Sequence, residues 1–106
     1  MTGQKTFNPA WGKGVAFTAG AVATHDEIDA TANKNGGSSS IVVTNLGSEV
    51  AYVRTYSSDA VQVATTADYP VLGGTQVSLT KFRDHDRASV ISAGGTTLQI
   101  IKGDGF

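Results

Sequence analysis

Short runs in which apolar and polar residues alternate constrain the fold of this chain most. Successive side chains of a β-strand point to opposite faces of the sheet, so a period of two predicts half-buried strands. Glycine, serine and asparagine separate the runs, as turn residues do. The runs cover residues 15–19, 27–33, 40–44, 49–56, 60–64, 75–80, 89–92 and 97–101. Seven or eight short strands of this kind predict an all-β fold. A jelly-roll-like antiparallel β-sandwich is favoured over the alternative, a small barrel.

The run at residues 27–33 allows two interpretations. As a strand, it places Ile28, Ala30 and Ala32 on one face and Asp29 on the other with the polar residues. As a short helix, it would begin at the capping box of residues 24–27, Thr-His-Asp-Glu, and end at Gly36. The alternation favours the strand.

Two short connections are typical of β-hairpins. Residues 45–48 join the runs 40–44 and 49–56, and Gly47 is free there to adopt a positive φ. Residues 93–96 join the runs 89–92 and 97–101 in the same way. Gly-Gly pairs at 36–37, 73–74 and 94–95 fit turns and match no phosphate-binding glycine motif. We therefore expect the runs on either side of each short connection to pair with each other.

Length and the first residues set the domain organisation. A chain of 106 residues fits one domain with one thin core. Residues 1–14 show no periodicity, and we expect an extended N-terminal arm there followed by a β-sandwich domain over residues 15–106. The N-terminus lacks the apolar segment of a signal peptide, and no apolar run approaches the ~20 residues of a membrane span.

Charge and cysteine content exclude several classes of partner. The net charge is -1 and the lysines and arginines are scattered, so neither nucleic acid nor an anionic membrane is expected as a partner. There is no cysteine, which excludes disulfides and thiolate metal sites and fits assembly in a reducing cytosol.

Two clusters combine histidine with carboxylates. The first contains His25, Asp26, Glu27 and Asp29, and the second is residues 84–86, Asp-His-Asp. Neither has the spacing of a known metal site, and flanking arginines balance the second cluster. We interpret both as solvated turns. No G-x-S-x-G elbow is present either, so we expect no enzyme activity, no catalytic residues, no metal and no cofactor.

Three aromatic residues stand outside the alternating pattern: Phe7, Trp11 and Phe106. An aromatic side chain on an extended segment gains stability by docking into the pocket of a partner. It can equally fold back onto its own domain. Phe17, Tyr52 and Phe82, in contrast, fall in predicted strands and are expected at the core or at sheet edges. Phe7, Trp11 and Phe106 are therefore the candidate partner-contact residues.

Residues 38–106 resemble the small head decoration proteins, or cement proteins, of tailed bacteriophages. The resemblance lies in the run Ile41-Val42-Val43-Thr44-Asn45-Leu46-Gly47, in Ala51-Tyr52-Val53-Arg54, in the stretch from Tyr69 to Gly74 and in the tail from Leu98 to Phe106. It implies a jelly-roll-like sandwich on the exterior of a capsid. The implied partners are the major capsid protein and further copies of the chain, as a dimer or trimer. The implied location is the virion, after synthesis in the host cytoplasm.

A recognition module for glycans or a receptor on a virion or tail is the alternative function. Tyr52, Tyr56, Tyr69 and Trp11 could stack on sugar rings. Binding of host-surface polysaccharide that is lost on replacing one of these aromatics would distinguish this function from capsid decoration.

Overall fold

The computed structural model describes residues 7–32 and 37–104, and across these ranges it contains strands and turns but no helix. The all-β prediction is therefore confirmed. None of the described residues forms a helix that could cross a membrane. The strands are β1 (Asn8–Pro9), β2 (Val15–Ala19), β3 (Thr24–Glu27), β4 (Ser40–Asn45), β5 (Ala51–Tyr56), β6 (Tyr69–Val71), β7 (Gln76–Thr80), β8 (Arg87–Ile91) and β9 (Thr96–Asp104).

The strands form two antiparallel sheets. In the first sheet β9 is central: β1 and β2 pair with one of its edges, β4 pairs with the other, and β7 pairs with the far edge of β4. The second sheet has the order β3-β8-β5-β6. One apolar core joins them, because its members come from strands of both sheets and, for Ile28, from the bend after β3: Phe17, Ala19, Ile28, Ile41, Val43, Ala51, Val53, Val71, Ala88, Val90, Leu98 and Ile100. The molecule is thus a β-sandwich.

The predicted hairpins are wrong. β4 lies in the first sheet and β5 in the second, and β8 and β9 are divided in the same way. Each short connection therefore carries the chain across the sandwich. Gly47 does not have a positive φ, which among the described glycines occurs at 12, 74 and 95. A Cβ at Gly47 would instead overlap the Thr96 side chain, so the glycine permits close approach of two segments.

Residues 27–33 form neither the predicted strand nor the alternative helix over their described part. The strand β3 ends at Glu27, and the main-chain N–H groups of Ile28 and Asp29 both donate to the carbonyl of Asp86, at 2.8 and 3.1 Å. This bend turns Asp29 into the interior, where it is fully buried. The prediction that Asp29 lies on an outer, polar face is therefore wrong.

Residues 60–64 do not form the predicted strand either. The segment lies against the outer face of the second sheet, where the N–H of Ala64 donates to Ser89 Oγ at 2.9 Å. Ser89 is consequently fully buried although it points away from the core. The alternation in this segment therefore does not reflect strand pairing, since Val61 and Val63 are exposed and only Ala64 is buried.

A buried cluster of three charged residues closes one end of the sandwich. Asp29 Oδ2 lies 2.8 Å from Lys81 Nζ, and Asp29 Oδ1 lies 3.0 Å from Lys102 Nζ. Ser38 N and the main-chain and side-chain donors of Thr31 also bind the carboxylate. Burial opposes ionisation of Asp29, but these hydrogen bonds together hold its pKa well below the ordinary value. Asp29 is thus an ionised hub between the loop after β3, the end of β7 and β9.

Asp29→Asn is expected to lower the free energy of unfolding by about 3–5 kcal/mol, because it leaves two lysines buried without a counter-ion. Urea denaturation at pH 7 measures this. The control is Arg54→Gln, which removes the ion pair between Arg54 and Asp68 at 3.3 Å. Because the Arg54 side chain is partly exposed, the free energy of unfolding should change by at most about 1 kcal/mol. Equal losses in the two variants would contradict the assigned role of Asp29.

The same carboxylate predicts an acid-sensitive fold. The pKa of Asp29 is lower in the folded than in the unfolded chain, so its contribution is complete at neutral pH and is lost as the pH falls below about 4. Unfolding curves between pH 7 and pH 2 should show the wild type losing stability faster than Asp29→Asn, so that the two converge at low pH. A constant difference over that range would disagree with this assignment.

Candidate interaction surface

Trp11 lies in a tight turn at one edge of the first sheet. β1 and β2 pair with different parts of β9, and residues 10–14 connect them. Ala10 N donates to the Lys102 carbonyl at 2.9 Å, and Lys13 N donates to the Ala10 carbonyl at 3.0 Å. The second bond closes a four-residue β-turn with Trp11 and Gly12 at its centre. The turn is therefore anchored to the sheet on both sides.

Gly12 explains why the turn can present a tryptophan. It has a φ of 76°, as the third residue of a type II turn requires, and this conformation is accessible to glycine without strain. The second position then projects Trp11 away from the sheet, and its side chain is 84% exposed. A large aromatic side chain thus stands in solvent on a backbone that is already fixed.

The structure separates the three candidate contact residues. Phe7 is half-buried, and its ring lies against Gly103, where a Cβ would overlap it. Trp11 follows β1 along the chain, whereas Phe7 precedes it, and the Trp11 side chain is exposed. Phe106 lies outside the described residues. Phe7 therefore packs on its own domain, and Trp11 is the described candidate that is free to meet a partner.

The predicted extended arm is wrong for part of its length. Asn8 and Pro9 are strand residues paired with Asp104 and Gly103 of β9. Pro9 cannot donate a main-chain hydrogen bond, but it is tolerated here because β1 is at the edge of the sheet. Residues 1–6 of the proposed arm lie outside the described residues.

A cleft of about 230 Å³ opens beside the Trp11 turn. Lys13 and Val15 line it on the side of the first sheet, and Glu27 and Ile28 line it on the side of the second. Lys13 is exposed and lies two residues from Trp11, so the turn and the cleft form one continuous surface. We call Trp11, Lys13 and this cleft the Trp11 edge.

The two histidines take part in hydrogen bonds that hold the fold together. His25 Nδ1 lies 2.8 Å from the Tyr56 hydroxyl, which also accepts a bond from Arg87 Nε at 3.3 Å. His85 Nδ1 lies 2.8 Å from Thr55 Oγ1, and burial lowers the pKa of His85. Within residues 7–32 and 37–104, no three histidine or carboxylate side chains converge as metal ligands.

The carboxylates of the two clusters also have structural partners. Asp86 Oδ1 accepts a hydrogen bond from Ser58 N at 2.8 Å, and Asp29 binds the two buried lysines. The interpretation of both clusters as solvated turns is therefore wrong for Asp29, which is buried. Sequence reasoning missed Lys81 and Lys102, although both continue the inward phase of their strands, after Val77 and Leu79 and after Leu98 and Ile100.

The aromatics of the glycan hypothesis do not converge. Tyr56 is buried, and Trp11 belongs to the other sheet. Tyr52 is opposite Pro70 in the register, whereas Tyr69 is opposite Val53, so the two tyrosines point to opposite faces of the second sheet. No two of these four side chains form a common stacking platform.

Phe82 is more exposed than predicted. It lies two residues after the end of β7, contacts the His85 ring edge-on at a centroid distance of 5.0 Å, and is 72% exposed. Other large apolar side chains are also exposed in the connections: Val22, Leu46, Val61, Val63 and Leu72. Val22, Leu46 and Leu72 lie outside the alternating runs, whereas Val61 and Val63 lie in the run 60–64, so alternation alone gave no signal for the exposure of these two.

Comparison of the sequence with protein-family models and with curated proteins finds no match. Among solved structures, one from work on Bacillus endospore appendages, described as a family of disulfide-linked pili, is similar. The sequence identity is 18%, the similarity covers 95% of this chain and 91% of the other, and the TM-score is 0.44. We infer no function from a likeness of this size.

Trp11→Ala is expected to change the free energy of unfolding by less than about 0.5 kcal/mol, because the side chain is exposed. Phe17→Ala is the contrasting variant, since Phe17 is buried in the core and its truncation should cost about 3–5 kcal/mol. Trp11 is also the single tryptophan of the chain, so its fluorescence should be freely quenched by acrylamide. Protection from acrylamide in the isolated protein would contradict the exposed turn.

Proposed function

We propose that this protein is a capsid decoration protein, a jelly-roll domain that binds the exterior of a bacteriophage head and bridges major capsid subunits. Trp11 carries this proposal, as a large aromatic side chain exposed on a fixed edge of the sandwich. The resemblance of residues 38–106 to cement proteins supports it.

The order of the strands supports the jelly-roll assignment. A jelly roll has eight strands in two sheets of four, linked by connections that mostly cross between the sheets. Without the short β1, the first sheet reads β2-β9-β4-β7 and the second reads β3-β8-β5-β6. Among the steps from β2 to β9, only that from β5 to β6 stays within one sheet. This is the pattern that two interleaved Greek keys produce.

The Trp11 edge has the properties of a preformed binding anchor. Tryptophan is enriched among the residues that contribute most to protein interfaces, especially where a pocket on the partner surrounds it. The turn is held by one main-chain hydrogen bond from Ala10 to β9 and by the pairing of β1 and β2 with β9, so little conformational entropy is lost on docking. Lys13 adds a positive charge beside the indole.

A cement protein must bind the mature shell more tightly than its precursor, because only this difference in affinity stabilises the expanded state. A rigid aromatic anchor suits this requirement, since a capsid pocket that forms only on expansion would bind the indole in the mature shell and not in the precursor. Repetition over many equivalent sites then multiplies a modest stabilisation of each junction.

The purified protein should bind expanded heads made from the major capsid protein of the same genome and bind precursor heads more weakly. Trp11 fluorescence should shift to shorter wavelength and lose acrylamide quenching when expanded heads are added. Trp11→Ala should weaken binding by at least about tenfold. Co-sedimentation with heads measures the affinity.

Val22→Ala is the matched control, because Val22 is as exposed as Trp11 and lies at the connection between β2 and β3. It should bind heads with wild-type affinity. A protein that ignores expanded heads would refute the proposed function. Binding that survives Trp11→Ala would refute the assignment of the site alone.

A further inference from the structure

β7 forms an open edge of the first sheet. It pairs with β4 on one side and with no described strand on the other. Val77 and Leu79 point toward the core but are only half-buried, because no further strand covers their outer flank. The edge is five residues long and contains no charge and no proline.

The hydrogen bonds at the two ends of β7 show which main-chain groups face outward. Asn45 N donates to the Thr75 carbonyl and Lys81 N donates to the Ser39 carbonyl, both at 2.9 Å. These bonds belong to the register in which Ser40 is opposite Thr80. In an antiparallel pair every second residue bonds to its partner, so 75, 77, 79 and 81 face β4. The N–H and C=O groups of Gln76, Ser78 and Thr80 therefore face away from the sheet.

The other described edges are protected. β3 carries Asp26 and Glu27, and β6 has three residues with Pro70 at its centre. The Thr24 hydroxyl donates to the Thr18 carbonyl of β2 at 3.0 Å. Natural proteins protect edges with charges, proline and short strands, because an unguarded edge pairs with other chains. Among the described strands, β7 is the edge without such protection.

We propose that β7 pairs with β7 of a second copy of this chain, antiparallel about a two-fold axis at Ser78. Ser78 would lie opposite Ser78, and Gln76 opposite Thr80. Each of these residues then exchanges both main-chain hydrogen bonds with the partner, and the two first sheets become one. The second copy is the fitting occupant because the edge is complementary to itself: in this register no charges face each other and every outward group finds its counterpart.

The same register brings exposed apolar side chains together at both ends of the strand pair. Phe82 of one copy would lie opposite Gly74 of the other, where space is open because nothing lies within 4 Å of a Cβ position. Leu46 and Leu72 belong to the segments beside Gly74, because Gly74 N donates to the Asn45 carbonyl and Thr75 N donates to the Leu72 carbonyl, and they are 66% and 62% exposed. The Phe82 ring can therefore cover leucines that the isolated domain leaves in water.

Sedimentation equilibrium of the purified protein should show a monomer–dimer equilibrium at concentrations up to about 1 mM. Ser78→Lys and Ser78→Glu should each be monomeric, because like charges would face each other across the axis. An equimolar mixture of the two variants should form a heterodimer, since the charges are then opposite. Thr97→Lys is the matched control, an exposed position on the same sheet in the central strand β9, and it should dimerise like the wild type.

Phe82→Ala should raise the dissociation constant of the dimer about tenfold, equivalent to about 1.4 kcal/mol. A wild type that stays monomeric to about 1 mM, or Ser78 variants that dimerise alone, would overturn the pairing. Variants that fail to recombine on mixing would overturn the register. The pairing needs nothing from the capsid, so a strictly monomeric protein that still coats heads would refute the dimer and leave the proposed function intact.

Discussion

The buried carboxylate of Asp29 is the interaction on which the architecture depends. Lys81 and Lys102 extend inward from the ends of β7 and β9, and without an anion between them the end of the sandwich would hold two uncompensated positive charges. Asp29 reaches them because the chain bends inward after β3. The same carboxylate binds the N–H of Ser38, so it closes the long connection that leads to β4. One ion cluster thus ties the bend after β3 to the connection before β4 and to the ends of β7 and β9.

The strands could be predicted from sequence because alternation is a local property. The runs at 15–19, 40–44 and 75–80 match β2, β4 and β7 to within one residue at each end. Their pairing could not be predicted in this way. A connection as short as residues 46–50 fits a hairpin and a crossing equally well, and the choice depends on which distant strand offers a partner. β4 lies between β7 and β9, both far along the chain, and local turn residues contain no information about them.

The residues of the ion cluster and of the Trp11 edge also differ in whether local alternation predicts their positions. The inward positions of Lys81 and Lys102 could have been read from the phase of β7 and β9, since each follows apolar residues at a spacing of two. Asp29 could not, because it lies in a bend after its strand has ended, where the phase no longer applies. Trp11 could be identified from sequence as an aromatic residue outside the alternating runs. The pairing of Asn8 and Pro9 with β9 could not be predicted, since a proline argues against a strand except at an edge.

The Trp11 edge and the β7 edge lie at opposite sides of the first sheet, separated by β9 and β4. Self-association through the β7 edge therefore leaves the Trp11 edge free for a different partner. In a dimer joined through β7, the two Trp11 turns would stand at the two far ends of one continuous sheet and face separate sites on a repeating surface. Two weak contacts held at a fixed separation bind such a surface far more tightly than either contact alone, provided that the spacing of sites matches. If the protein decorates a capsid as proposed, its affinity for the shell would on this geometry depend on the lattice spacing, which changes when a capsid expands.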